Sequence, residues 1–206
     1  MSKLTAANAN ISNLISANER LEMQNDLEEN FRVMLHLLKI DIFDPQVKDT
    51  PRRLAKMYVE EIFKGRYEKM PNLTTFPNSK NVDELFIVGP IAFRSCCSHH
   101  FVPFLGKAWI GVIPGEKLLG LSKFARLTEW IMARPQIQEE AIQMLADIIE
   151  EEIAPKGLAI VMKAKHFCMC WRGIKDNDCE MTSSVVRGFL RGAEAREEFL
   201  NLIKVH

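Results

Sequence analysis

The sequence lacks an apolar run approaching the roughly twenty residues of a membrane span, and its polar start, MSKLTAANANISN, holds no signal-peptide hydrophobic block. It also lacks net charge, because 27 Lys and Arg balance 27 Asp and Glu. A balanced chain gives no general attraction to polyanions. We therefore expect a cytoplasmic protein that has neither a nucleic acid nor a membrane as its partner, so that any basic site is local.

Cysteine is scarce as well, and its five residues are an odd number. In a reducing compartment this argues against a disulfide framework and favours metal binding or catalysis. Three of the five histidines share two short segments with two of the cysteines. Thiolates and imidazoles are ligands that zinc prefers. The residues concerned are Cys97, His99, His100, His166 and Cys168.

The chain of 206 residues, 47% of them hydrophobic, is long enough for one core and a helical extension. Residues 1–20 have weak periodicity and predict a mobile arm or a frayed helix. Helical spacing follows over residues 27–38, and Asp49-Thr50-Pro51 is a start signal for a helix over 52–63. Residues 70–80 are typical of a linker. We predict an N-terminal arm and helical region, 1–80, and a catalytic domain, 81–206.

The second part of the chain alternates between strand and helix patterns. Strands are predicted over 84–95, 104–113, 157–171 and 181–190, and helices over 122–133, 136–153 and 193–205. The order ββααββ favours an α+β fold, an antiparallel sheet with helices on one face. The runs are long and show no obvious bulge or proline, so we expect the edges of this sheet to mediate oligomerisation.

The second histidine segment lies in a predicted strand. If residues 157–171 are extended, alternate side chains share one face of the sheet. That face carries His166, Cys168, Cys170 and Arg172.

The first segment can complete a metal site only through a turn, because Cys97 and His100 are three residues apart. With Cys168 they form a three-ligand set with an open fourth position, as in catalytic zinc sites. His99 and His166 then remain for proton transfer. Two alternatives stay open: a closed structural zinc with Cys170 or Cys96 as fourth ligand, or buried thiols without a metal.

A glycine turn enters a helix at Gly120-Leu121-Ser122-Lys123, and Arg126 follows. Backbone N–H groups, a hydroxyl and basic side chains at a helix start suit a phosphate, although a capped helix with solvated basic residues explains the same pattern. Arg172 and Arg53 are further basic candidates. In the next helix, the Glu139 carboxylate, beside Gln138, can accept from two adjacent N–H groups such as N1 and N2 of guanine.

Together these segments resemble the GTP cyclohydrolase I family, from about Asp49 to the C-terminus. The matching stretches are CSHHFVP at 97–103, GLSKFAR at 120–126, RPQIQE at 134–139, HFCMCWRG at 166–173 and DTPRR at 49–53. Several ordered motifs at matching separations are far more specific than any one of them.

The resemblance implies the tunnelling fold, in which ββααββ subunits join edge to edge into an oligomeric barrel. In this family two rings of five form a homodecamer with active sites at subunit interfaces. The implied reaction converts GTP and water to 7,8-dihydroneopterin triphosphate and formate. The product could feed folate, another pterin or a deazapurine.

The resemblance also assigns roles to residues at the matching positions. The Zn²⁺ ligands are Cys97, His100 and Cys168. The catalytic residues are His99 and His166, which move protons, and Ser122, near the ribose and phosphate. The residues for the guanine are Gln138 and Glu139, and those for the triphosphate are Lys123, Arg126, Arg172 and Arg53.

The chain departs from the family pattern at three positions near the site. Ser98 stands where relatives usually have Glu, Glu140 where they usually have Arg, and Cys170 adds a thiol to the predicted metal face. Competing interpretations are a zinc hydrolase or deaminase acting on another purine, a non-catalytic zinc-binding paralogue, and the nitrile reductase of the queuosine pathway. The H-x-E and P-C-x-x-C deaminase signature is absent, and we identify no nitrile reductase motif.

Overall fold

The structure is a computed structural model that describes residues 4–204, so the predictions for residues 1–3 and Val205 lie outside the described residues. The chain forms two compact units, Met1–Lys69 and Met70–His206. Within the described part, no helix has both the length and the apolarity of a membrane span.

The first unit is helical. It contains α1 (Ala17–Leu37), α2 (Thr50–Lys56), a π-helical turn (Met57–Ile62) and α3 (Lys64–Tyr67). The start of α1 is a reciprocal capping box, in which Ser16 and Glu19 satisfy each other's backbone N–H groups. Pro51 lies in the first turn of α2, as predicted, but the Asp49 side chain does not cap that helix and pairs instead with Arg53 at 3.5 Å.

The segment before α1 is not a helix, and it is tied to its own unit. The Arg66 guanidinium donates to the backbone carbonyls of Ala6, Ala7 and Ala9, and the Asn10 amide donates to the carbonyl of Gly65 at 2.8 Å. The weak periodicity of this segment therefore reflects an irregular structure that side-chain hydrogen bonds hold in place, which a helical or strand pattern cannot signal.

The second unit is a mixed α+β fold around a five-stranded sheet of order β5-β2-β3-β6-β7. A small separate sheet pairs β1 with β4, so part of the predicted linker is a strand. The strands are β1 (Thr75–Pro77), β2 (Phe86–Cys97), β3 (Pro103–Ile113), β4 (Lys117–Leu119), β5 (Pro135–Gln136), β6 (Gly157–His166) and β7 (Met181–Gly188), and the helices are α4 (Leu121–Met132), α5 (Gln138–Ile153), α6 (Phe167–Cys170) and α7 (Ala193–Lys204).

Helices pack on both faces of this sheet, whereas the sequence predicted one face. The apolar stripes of α4 and α5 cover the predicted face, where Leu127, Leu145 and Ile160 are fully buried. Helix α7 packs on the opposite face, with Phe199 against Val161. Because alternate residues of β6 point to opposite faces, its continuous apolar run fits a strand that is covered on both sides.

The predicted strand over residues 157–171 is too long. Strand β6 ends at His166, and the chain then turns into α6, where the Trp171 N–H donates to the Phe167 carbonyl at 3.0 Å. Alternation therefore does not place His166, Cys168, Cys170 and Arg172 on one face, and that prediction is wrong. The apolar composition of Phe167–Cys170 suits a buried helical turn as well as a strand.

The edges of the sheet also differ from the prediction. The register between β2 and β3 shifts between Val88 and Ile91, at Gly89-Pro90, so β2 does contain an irregularity and a proline. Beside Cys97, β5 adds a short parallel strand to this edge. Strand β7, at the other edge, pairs only with β6 among the described strands.

We expect Phe199→Ala to lower the free energy of unfolding by about 3–5 kcal/mol, because the ring is 1% exposed and fills the interface between α7 and the sheet. Urea unfolding monitored by circular dichroism measures this change. The control is Leu200→Ala on the same helix, at 37% exposure, which should cost about 0.5 kcal/mol or less. Equal decreases in the free energy of unfolding for the two variants would contradict the packing of α7 on the sheet through Phe199.

Candidate functional site

The Cys97–His100 segment is a tight turn at the end of β2. The Phe101 N–H donates to the Cys97 carbonyl, the Cys97 N–H donates to the Val102 carbonyl, and Phe101 has a left-handed φ of 52°. This turn brings the Cys97 Sγ and His100 Nδ1 atoms to 3.9 Å. The sequence prediction that a turn unites these two side chains is confirmed.

Cys168 completes the group from the first turn after β6. Ligand atoms of Cys97, His100 and Cys168 all lie within 4.8 Å of one another, and among the described residues this is the one such group of three His, Cys or carboxylate side chains. In a tetrahedral zinc site with Zn–S and Zn–N bonds of ordinary length, the ligand atoms lie about 3.5–3.8 Å from one another. The three side chains are therefore spaced to hold a metal ion.

The two thiols of the group also fit a cation electrostatically. Burial raises the pKa of the Cys168 thiol, and the neighbouring Cys97 raises it further. A divalent cation reverses this effect, because it favours the thiolate over the thiol. Cys97 is buried, Cys168 is half-buried and His100 is exposed, so the group has a closed side and a side open to solvent.

Neither of the other candidate thiols joins this group. The Cys170 thiol is buried and donates to the His166 carbonyl at 3.0 Å. Cys96 is 2% exposed, burial raises the pKa of its thiol to about 12, and its Sγ atom is not among the three ligand atoms that lie together. The arrangement does not support a closed four-ligand site that uses Cys170 or Cys96.

Two polar side chains surround His100. The exposed His99 ring lies edge-on to it, with ring centroids 6.3 Å apart. From the segment after α6, Arg172 Nη1 lies 2.8 Å from His100 Nε2. The structure thus places a second imidazole and a permanent positive charge beside the three-residue group, although β6 ends at His166 and does not carry Arg172.

His166 is held on two sides. Its ring stacks on Phe104, the residue opposite it on β3, with centroids 4.6 Å apart and an interplanar angle of 2°. Its Nε2 atom lies 2.9 Å from Gln138 Oε1. Burial lowers the pKa of His166, and the nearby Glu139 carboxylate opposes that shift. Burial thus favours the neutral imidazole, the form that can accept a proton.

Gln138 does not present its amide to solvent, as a guanine-binding residue would. The side chain is 0% exposed, and its Nε2 donates to the Met162 and Met181 carbonyls and to Ser183 Oγ. Both ends of the amide are thus engaged by the protein. Glu139, the next residue on α5, is exposed and keeps its carboxylate available.

The remaining candidates lie on two other helices. Ser122, Lys123 and Arg126 occupy the first two turns of α4, after Gly120, as predicted. Ser122 and Arg126 are exposed, and Lys123 is half-buried. No hydrogen bond or ion pair of the described residues joins them to the group of Cys97, His100 and Cys168. Arg53 lies on α2 in the first unit, where its side chain is 68% exposed.

Sequence reasoning missed Phe104 and Ser183. Phe104 supports the His166 ring, and Ser183 holds the Gln138 amide. The signal for Phe104 is the register of β3 and β6, which makes it the partner of His166. For Ser183 no local signal exists, because its role depends on how α5 meets β6 and β7.

Comparison with known proteins identifies the family of this chain. The family model of GTP cyclohydrolase I matches residues 27–204. Similar proteins include "GTP cyclohydrolase 1" of Aliivibrio salmonicida, 38% identical over 90% of this chain and 86% of that protein, and that of Haemophilus ducreyi, 39% identical over 86% and 83%. The namesake of Sulfurihydrogenibium sp. is 40% identical over 89% of this chain and 96% of its own. The chain belongs to the GTP cyclohydrolase I family.

Proposed function

We propose that this protein converts GTP and water to 7,8-dihydroneopterin triphosphate and formate. The observation that carries the proposal is the open Cys97–His100–Cys168 group with further imidazoles beside it, in a chain of this family. A buried metal site that only stabilises the fold has no use for the additional histidines. The product fits the start of a folate pathway.

We propose Zn²⁺ as the metal, since two thiols and an imidazole are ligands that select zinc over Mg²⁺ or Ca²⁺. Cys97, His100 and Cys168 would hold it. When bound, zinc supplies the Lewis acidity that activates water for attack on a carbon such as C8 of guanine. The five cysteines are all free thiols, as expected for a protein that acts in the cytosol.

His99 and His166 are the proposed proton carriers. His99 is exposed beside His100 and is free to approach a substrate, whereas His166 is fixed by Phe104 and Gln138. Because burial favours the neutral form of His166, this ring can accept a proton from the attacking water and then donate it to the guanine nitrogen that is released when the five-membered ring opens.

The charged side chains among the candidate residues match the two ends of GTP. Lys123, Arg126, Arg172 and Arg53 would bind the triphosphate, with Ser122 near the ribose and phosphate. Glu139 would accept from N1 and N2 of the guanine. Gln138 would act through His166.

For the assembly we propose the tunnelling fold, with ββααββ subunits joined edge to edge into a homodecamer whose active sites lie at subunit interfaces. Strand β7 has a free edge among the described strands, and Phe189, directly after this strand, is 67% exposed. Large exposed apolar side chains beside a strand edge favour association. Light scattering of the purified protein measures the subunit number, and a monomer would contradict the proposal.

The function is tested by incubating the purified, zinc-loaded protein with GTP. We expect one formate per GTP consumed and the appearance of pterin fluorescence after oxidation. If zinc is bound at one ion per chain and neither product forms, the proposal is wrong. GTP consumption with phosphate release but no formate would indicate a phosphohydrolase instead.

We expect Arg126→Ala to raise the KM for GTP by about 10- to 100-fold and to change kcat less, because a charged hydrogen bond to phosphate contributes about 1.5–3 kcal/mol. Steady-state formate release measures both constants. Lys156→Ala removes an exposed positive charge after α5 and serves as the control. If the two variants have the same KM as the unmodified enzyme, Arg126 does not bind the triphosphate.

A further inference from the structure

The orientation of the Gln138 amide is determined by its surroundings. Its nitrogen faces the carbonyls of Met162 and Met181, at 3.1 and 3.3 Å, and both of these groups can only accept hydrogen bonds. Ser183 Oγ lies 2.9 Å from the same nitrogen. Rotating the amide by 180° would set its oxygen against two carbonyl oxygens in a site without solvent, so the NH₂ group must lie on this side.

The Gln138 oxygen therefore faces His166, and this decides where the imidazole carries its proton. Gln138 Oε1 can only accept, so the His166 Nε2 atom, 2.9 Å away, must be the donor. A neutral imidazole has a single N–H group. The other ring nitrogen, Nδ1, then bears the lone pair, and no hydrogen bond of the described residues engages it.

The ring cannot flip about its Cβ–Cγ bond, which would exchange each nitrogen with a ring carbon, without losing contacts. Phe104 stacks flat against one face, and His166 ends β6, where its backbone pairs with that of Phe104. A flip would place a carbon atom against Gln138 Oε1 and leave a buried amide oxygen without a partner, which costs about 1–3 kcal/mol.

We propose that Gln138 is a positioning residue that holds His166 in the Nε2–H tautomer, so that Nδ1 is the nitrogen that exchanges protons with the substrate. The proton transfer rests on the proposed function, whereas the tautomer does not. Nδ1 accepts a proton to give the imidazolium and later donates that same proton. The Nε2–H···Oε1 bond persists in both forms, so no hydrogen bond needs to rearrange during the cycle.

The direct test is ¹⁵N spectroscopy of the histidine-labelled protein in mildly alkaline solution. An imidazole nitrogen with a lone pair resonates far downfield of one that carries a proton, so the two tautomers are distinguishable. The His166 signals are those that disappear in His166→Gln. We expect a protonated Nε2 and an unprotonated Nδ1. A protonated Nδ1 at His166 would overturn the proposal, and this measurement needs no variant at Gln138.

The second test is Gln138→Met, which preserves volume and removes the acceptor. We expect the His166 signals to move toward those of a tautomer mixture, and kcat for formate release to fall about 10- to 100-fold with little change in KM. The control is Gln136→Met: Gln136 is also buried, at 1% exposed, but hydrogen-bonds to Ser95 and Ile131. It should leave the His166 signals unchanged.

The outcomes separate this inference from the proposed function. Unmodified protein that releases no formate contradicts the function, while the ¹⁵N spectrum still decides the tautomer. Active protein in which Gln138→Met keeps the original His166 signals contradicts the positioning role alone. A higher KM at unchanged kcat in Gln138→Met would instead restore the earlier prediction that Gln138 binds the guanine.

Discussion

Cys97→Ser should remove the bound metal and the turnover of GTP together. A serine hydroxyl ionises far less readily than a thiol and is a poor zinc ligand, so only His100 and Cys168 would remain of a three-residue group. We expect metal content at background in the dialysed protein and formate release below detection. Elemental analysis of the purified protein gives the first quantity and the GTP assay the second.

The matched control for this experiment is Cys170→Ser. Cys170 is two residues from Cys168 on the same turn, but its thiol donates to the His166 carbonyl, and a serine hydroxyl can make the same bond. This variant should retain its metal. Loss of metal from Cys170→Ser would show that the site has a fourth thiolate and is closed, and full metal in Cys97→Ser would contradict the ligand set itself.

The sequence correctly predicted the turn that joins Cys97 and His100, but it extended strand β6 beyond His166. Two potential ligands three residues apart at a strand end can meet only through a turn, and Cys97 and His100 do so. Cys168 also lies where it was expected, but for a different reason, because α6 and not strand alternation carries it. Short apolar segments such as Phe167–Cys170 have no periodicity that separates a helical turn from a strand.

Contacts distant in sequence account for what could not be predicted. The chemistry of Gln138 depends on Met162, Met181 and Ser183, which reach it only when α5 docks on β6 and β7. Likewise, the amphipathic pattern of α7 indicates an apolar face but not which side of the sheet receives it. Residue types and local spacing identified the candidate side chains, and the register and packing determined which of them touch.

His99→Ala should keep the metal and lose turnover. The ring lies beside His100 but is not part of the three-residue group, so its removal leaves all the proposed ligands in place. General acid–base groups contribute about 10²- to 10⁴-fold to rate, and we expect kcat to fall by a factor in this range. His36→Ala, an exposed histidine on α1, is the control and should match the unmodified enzyme.

Metal content decides how this last result is interpreted. A slow variant with one metal ion per chain fits a proton carrier, because the chemistry fails while the site remains assembled. Metal loss in His99→Ala would contradict the roles proposed for the two adjacent histidines, because His99 would then be the metal ligand and His100 the proton carrier. Because Arg172 Nη1 lies 2.8 Å from His100 Nε2, Arg172→Ala should then disturb the carrier rather than the ligand.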